Sequence, residues 1–291
     1  MNDLSLSLGI IGLGSMGAPM AARLLAAHGS LVAYARTPRP ELLGAGARWA
    51  ATPRDLAEQV DAVVLMLPDL PEVRQVLEGP DGLLASGTEV LLLIGSTSSP
   101  VELRELAEAL SSSSDGRVRV VDCPVSGGVE GARAGTLSIM LGGTPEDCAA
   151  ARTLLAPCGR ALRLGPLGAG QVAKACNQLV VSATILALGE ASVLAERSGI
   201  ELQLLWDLLG SGYAGSHLLE AKKEKLASGD DSPNGIARYM VKDLRFASDV
   251  ARATHTNAVI LPTVQQAFED IVERGLGERD IAVTRRYIDL R

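Results

Sequence analysis

The sequence predicts an α/β domain with a doubly wound parallel sheet over residues 1–164, followed by an all-helical domain over 165–291. Three observations carry this expectation. Up to about residue 163, short runs rich in Val, Ile and Leu alternate with helical patterns, which is how βαβ units read. Several of those runs are unbroken rather than alternating, as strands covered on both faces require. Beyond Gly165 the strand-like runs stop and helical segments take over.

The expected strands are 6–11, 31–34, 62–67, 90–94, 118–121 and 137–141. The first closes on Gly12-Leu13-Gly14-Ser15-Met16-Gly17, a G-x-G-x-x-G turn, and a helical pattern begins near Met16. That context separates a dinucleotide site from an ordinary strand-to-helix turn. Gly12 and Gly14 carry no side chain to block a pyrophosphate, whose charge meets the free N–H groups and the positive end of the helix dipole.

The end of the second strand reads Tyr34-Ala35-Arg36-Thr37-Pro38-Arg39, with no acid before Glu41. An NAD site usually carries Asp or Glu there, about 20 residues past the glycines, to hold the ribose hydroxyls. The cation of Arg36 and the hydroxyl of Thr37 suit a 2′-phosphate instead, so NADP is favoured over NAD; the plainer alternative leaves Arg36 over the adenine or in solvent. Leu67-Pro68 closes the third run and is expected near the cofactor. The fourth leads into Gly95-Ser96-Thr97-Ser98-Ser99-Pro100, where Thr97, Ser98 or Ser99 can cap the next helix.

The fifth run leads into Ser126-Gly127-Gly128, at the carboxyl edge where parallel sheets bind ligands. A hydroxyl donor beside two glycines whose N–H groups are exposed can hold a carboxylate, and a flexible glycine loop is the alternative. A Gly-Pro-Leu-Gly-Ala-Gly stretch, 165–170, separates the two halves. Helices are then expected at 168–198, 202–209, 216–227, 236–254, 262–274 and 278–288. Lys174 falls early in the first of these, among apolar residues, where an unpaired lysine is expensive to bury. Hydride transfer to or from an alcohol carbon also moves a hydroxyl proton. A lysine lowered by burial from ~10.4 toward ~7–8 can exchange that proton near neutral pH; a lysine snorkelling to solvent is the bland alternative. Gln178 lies four residues on, over the same helix face.

Hydrophobic residues make up 47% and charged residues 21%, a globular composition. A net charge of −7 argues against nucleic acid as a partner. Cys123, Cys148, Cys158 and Cys176 are scattered, and His28, His217 and His255 do not cluster with them, so no metal site is expected. The amino-terminal apolar stretch runs straight into the glycine turn rather than reading as a signal peptide, and a cytoplasmic location is expected. Segment 172–195 carries Lys174, Asn177, Gln178 and Glu190, which reads as a core helix rather than a membrane span.

Four motifs, in order, make the chain resemble the β-hydroxyacid dehydrogenase family, which includes 3-hydroxyisobutyrate dehydrogenases and tartronate semialdehyde reductases. They are the glycine turn with its trailing Pro19-Met20-Ala21 and Leu24; Asp122-Cys123-Pro124-Val125-Ser126-Gly127-Gly128; Gly165, Gly168, Gly170 and Lys174; and Lys242-Asp243-Leu244. The resemblance implies a Rossmann domain plus helical domain of the 6-phosphogluconate dehydrogenase type. It implies Lys174 as acid/base and Ser126, Gly127 and Gly128 on the carboxylate of a small 3-hydroxy acid. Many relatives place Asn where Gln178 stands, the tartronate semialdehyde reductase branch places Gln, and Asn177 is adjacent; Gln178 is favoured for orienting the reacting oxygen, with Asn177 the second choice. Thr97 is implied beside the nicotinamide and Lys242 near cofactor and substrate. A homodimer or homotetramer is implied, built on the helical domain. The rivals are an imine reductase of the same architecture, which generally lacks the lysine, a 6-phosphogluconate decarboxylase, and a non-catalytic dinucleotide-binding protein.

Overall fold

A computed structural model describes residues 6–290; Met1–Ser5 and Arg291, which the expected domain bounds include, lie outside the described residues. The chain divides into two compact units, Met1–Lys174 and Ala175–Arg291, and the division falls inside the long helix Ala169–Arg197.

In the first unit the strands are β1 (Leu8–Ile11), β2 (Val32–Tyr34), β3 (Arg48–Trp49), β4 (Ala62–Leu65), β5 (Val90–Ile94), β6 (Val118–Asp122), β7 (Val125–Ser126), β8 (Leu137–Gly142) and β9 (Gly159–Gly165). The sheet order is β3-β2-β1-β4-β5-β6-β8-β7, with β9 paired to β8. The first six strands are mutually parallel, the doubly wound order whose direction reverses at β1. β8 then runs antiparallel to β6 and β7, while β9 runs parallel to β8. The predicted parallel sheet is therefore present, and it carries a mixed extension.

The unbroken apolar runs have a direct physical reading. Alternate residues of one strand enter different cores: Ile10, Val64, Leu91 and Leu93 join one cluster, and Ile11, Val63, Leu65, Leu92 and Ile94 join the other. Both faces are covered by helices, so neither set of side chains can be polar. Several covering helices begin at an oxygen-bearing cap followed by proline, as at Thr52-Pro53, Ser99-Pro100 and Thr144-Pro145. The cap satisfies an orphan N–H, and proline at the first turn costs no hydrogen bond.

The second unit is helical, built from the remainder of Ala169–Arg197 with Leu202–Gly210, His217–Ser228, Arg238–Ala253, Leu261–Glu273 and Thr284–Asp289. Its core holds Trp206, Phe268 and Tyr287, all fully buried. Helix Ala169–Arg197 is long and apolar enough to cross a membrane by length and composition. Half of that apolar window is buried, with Ile185, Leu186 and Leu188 in the helical core. The helix expected over 278–288 is split: a 3-10 turn, Ile281–Val283, precedes Thr284–Asp289. Asp280 causes the break, because its buried carboxylate accepts from the N–H groups of Ala282 and Gly235 and from Lys222 Nζ.

Candidate active site

The register of the parallel strands aligns four loops along one sheet edge. Ile11 pairs with Leu65, Leu65 with Ile94, and Ile94 with Asp122. The glycine turn, Met66-Leu67-Pro68, Gly95 to Thr97 and Cys123 to Ser126 therefore leave adjacent strands at the same level. This is where an open α/β sheet binds its ligand.

Each glycine of the first loop has a separate duty. Gly12 has φ +97°, and a β-carbon there would lie 2.3 Å from the Met66 carbonyl oxygen. A β-carbon on Gly17 would lie 1.9 Å from the Gly12 oxygen, so this glycine lets the helix Gly17–His28 start against the strand end. Around Gly14 there is nothing within 4 Å of a β-carbon, so its backbone faces open space. No side chain caps that helix and its first turn holds no acid, which leaves its positive end available to a phosphate. Those features fit a dinucleotide pyrophosphate. Leu13 is buried, Ser15 is exposed and Met16 is half-buried. Arg39, which the sequence reading passed over, braces the turn: its Nε and Nη2 donate to the Leu13 oxygen at 3.1 and 2.9 Å. Arg36 and Thr37 are exposed just past β2.

Along the edge, Leu67 N–H donates to Ser96 Oγ at 3.1 Å, tying the third loop to the fourth. Pro68 is exposed and Thr97 is half-buried. The cap of helix Pro100–Ser113 is Ser99, whose hydroxyl accepts from Glu102 N–H, so Thr97 is not spent on capping.

Asp122 is the residue whose work the sequence reading left unassigned. Fully buried, it accepts from Gly168 N–H and Gln171 N–H, each at 2.8 Å, and so caps the start of helix Ala169–Arg197. Burial pushes its carboxyl above the usual carboxylate range, and these backbone hydrogen bonds oppose that shift. Gly170 and Gly142 make the approach possible: a β-carbon on either would come within 2.7 Å of an Asp122 oxygen. The glycines before Lys174 thus serve close packing of the helix start.

One turn later, Lys174 is 8% exposed, and its Nζ donates to the Val125 oxygen at 2.8 Å. The snorkelling alternative fails, because the amine turns to the protein instead of to bulk water. Val125 directly precedes Ser126, which pairs with Ser138 on β8, and Gly127 and Gly128 follow with φ of +129° and +65°. A β-carbon on Gly128 would meet nothing within 4 Å. The structure therefore brings the lysine and the Ser-Gly-Gly segment together.

In the second unit, Gln178 is buried; its Nε2 donates to Asp243 Oδ2 at 2.6 Å and its Oε1 accepts from Asn177 Nδ2 at 2.9 Å. Both amides expected near the reaction thus belong to one chain of hydrogen bonds that includes the acid of the Lys242-Asp243-Leu244 motif. Sixty-five residues separate Gln178 from Asp243, which hid the pairing from sequence. The ammonium of Lys242 stands 5.5 Å from the centre of the Phe246 ring. Trp206 belongs to the core, and His28 Nε2 lies 2.9 Å from the Leu154 oxygen, a structural contact.

A doubly wound sheet with an open glycine turn, followed by a helical unit, fits the class of dinucleotide-dependent oxidoreductases. Residues 7–168 match the model of the NAD-binding domain of 6-phosphogluconate dehydrogenase. Residues 168–288 match that of the NAD-binding region of NADP-dependent 3-hydroxyisobutyrate dehydrogenase. The chain is 34% identical over 290 residues to an NAD-dependent L-serine dehydrogenase of Pseudomonas aeruginosa, covering 96% of each chain. It is 32% identical over 288 residues to the 2-hydroxy-3-oxopropionate reductase of Escherichia coli, covering 98% of each. A solved 3-hydroxyisobutyrate dehydrogenase from Salmonella typhimurium superposes with a TM-score of 0.87 at 30% identity, over 97% of this chain and 99% of the other. The chain belongs to the β-hydroxyacid dehydrogenase family, NAD(P)-dependent oxidoreductases acting on CH–OH groups.

Proposed function

We propose that this enzyme interconverts a small 3-hydroxy acid and its semialdehyde, with NADP preferred over NAD and Lys174 moving the proton. The observation that carries the reading is the buried Lys174 amine, 2.8 Å from the Val125 oxygen and so beside the Ser126-Gly127-Gly128 segment. The named substrates of the relatives narrow the class. L-Serine, 2-hydroxy-3-oxopropionate and 3-hydroxyisobutyrate share one skeleton: a carboxylate, a substituted central carbon, and a terminal carbon at the alcohol or aldehyde level. Ser126 Oγ and the N–H groups of Gly127 and Gly128 hold the carboxylate. That anchor leaves the terminal carbon to the lysine.

When bound, the nicotinamide supplies or accepts the hydride. Gly12 to Gly17 hold its pyrophosphate, Thr97 and Leu67-Pro68 flank its reactive end, and Arg36 with Thr37 hold a 2′-phosphate. Lys174 takes the hydroxyl proton during oxidation and returns it during reduction. Gln178 is assigned to orienting the reacting oxygen, supported by Asn177 and Asp243, and Lys242 to binding cofactor. The enzyme works in the cytoplasm as a homodimer or homotetramer. Val180 and Leu194 support an assembly, since they leave large apolar side chains 63% and 69% exposed on the long helix.

A panel of small semialdehydes and hydroxy acids, assayed with NADPH and NADH in wild type and Lys174→Ala, tests this. Turnover is expected to fall by about 10²-fold or more in the variant, with cofactor affinity nearly unchanged. Equal turnover in the two proteins would remove the lysine from the reaction, and faster turnover with NADH would overturn the assignment of Arg36.

A further inference from the structure

Gln171 sits three residues before Lys174 in the first turn of the long helix and is 1% exposed. Its backbone N–H is taken by Asp122, so its side chain is not needed to hold the helix start. That side chain turns instead to the loop after β5. Its Nε2 donates to the Ser96 oxygen at 2.7 Å and its Oε1 accepts from Ser98 N–H at 3.0 Å. The two bonds bracket Thr97 on either side, in the pattern an extended neighbouring residue would make. The Ser98 hydroxyl has no partner among the described residues, so the bond to Gln171 is this residue's polar tie to the helix.

Within a single turn, then, the helix is pinned at three places. Asp122 holds its first N–H groups, the Gln171 amide holds both flanks of Thr97, and Lys174 reaches the Val125 oxygen. We propose that Gln171 is a positioning residue for hydride transfer: it fixes the Thr97 loop, and with it the nicotinamide face, in register with the lysine amine. The inference rests on the roles given above to Thr97 and Lys174. Glutamine suits the task because one planar group offers a donor and an acceptor side by side, matched to a carbonyl and an N–H two residues apart. An ionised glutamate keeps only the acceptor half. A methionine fills the space and supplies neither, leaving a buried C=O and N–H without partners.

The test compares wild type, Gln171→Met, Gln171→Glu and Lys174→Ala. It reads kcat and KM for semialdehyde reduction, NADPH affinity by nucleotide fluorescence, and the primary deuterium isotope effect with NADPH labelled at the transferred position. Displacing the nicotinamide by a fraction of an ångström is expected to lower kcat of Gln171→Met by about 10- to 100-fold. KM and NADPH affinity should change by less than about threefold, because most of the cofactor's contacts lie elsewhere. The isotope effect should rise as hydride transfer becomes rate-limiting, and Gln171→Glu should fall between the other two. A kcat within twofold of wild type in Gln171→Met, or a loss confined to KM, cofactor affinity or thermal midpoint, overturns the inference. Should Gln171→Met fail to fold, Gln171→Glu decides, and wild-type kcat and isotope effect in that variant overturn it. Full turnover in Lys174→Ala strikes the lysine reading; loss there beside normal turnover at position 171 strikes Gln171 alone.

Discussion

Asp122 offers the sharpest stability experiment. The substitution Asp122→Ala leaves the N–H groups of Gly168 and Gln171 buried without their acceptor. Each orphaned group costs about 1–3 kcal/mol, so the loss is about 2–6 kcal/mol, a large share of a typical folding free energy of about 5–15 kcal/mol. In thermal terms the midpoint drops by on the order of 10 °C. Asp122→Asn keeps one acceptor and gives up a carboxylate whose burial is itself unfavourable, so it should lose less, about 1–3 kcal/mol. The pH dependence follows from the raised carboxyl. Its folded value lies above the ordinary 3.8, so between the two the native state holds a proton that the unfolded chain has lost. Its contribution to stability therefore grows as pH falls through that window and shrinks as pH rises. The gap between wild type and Asp122→Asn, measured by urea unfolding, should widen on acidification toward 3.8. An Asn variant as stable as wild type at neutral pH, or a gap that narrows on acidification, would refute the account of Asp122 as a buried cap.

Gly14→Ala should fold normally, since nothing lies within 4 Å of its β-carbon, yet weaken NADPH binding by about tenfold or more by obstructing the pyrophosphate. Fluorescence titration checks this, and Gly12→Ala, which drives a methyl against the Met66 oxygen, should instead lose stability. Cys176 is exposed while Cys123, Cys148 and Cys158 are buried, so a thiol reagent should modify one cysteine rapidly and three only on unfolding. Burial pushes the Cys158 thiol up to about 11; the fold keeps a proton that the unfolded chain loses from 9.0 upward. Stability should therefore fall by up to about 3 kcal/mol between those values, measured as the urea midpoint against pH. Lys222→Met strands the Asp280 carboxylate that it meets at 2.7 Å and should cost about 3–5 kcal/mol, much of it recovered by adding Asp280→Asn.

The parts of the fold that were legible in sequence are those where burial dictates residue type. β1, β4 and β5 are buried along their whole length, so only apolar residues fit and the runs stand out. β3 and β7 have two residues each, and β9 is mostly exposed, with Leu162 and Leu164 about half open to solvent. Backbone pairing to a neighbouring strand forms these three, and it leaves no side-chain pattern to read. The same division holds at the active site. Lys174, Ser126 and the glycine turn stand out because they fall in motifs of fixed residue type and spacing. Asp122, Gln171, Arg39 and Asp243 act through partners 26 to 75 residues away. Only the folded chain reveals that a glutamine and an aspartate hold the loops in place.

The lysine amine is held by a main-chain carbonyl, that of Val125, and any amino acid placed at that position would present the same oxygen. Mutational scanning of the 125 side chain is therefore blind to this contact. Of the neighbouring residues, Glu130, Arg133 and Ala134 are exposed and can be substituted without touching this contact, whereas Gly131 and Ala132 are buried. Change at those exposed positions can thus proceed on one side of the Ser-Gly-Gly segment while the lysine's hydrogen bond on the other side is kept.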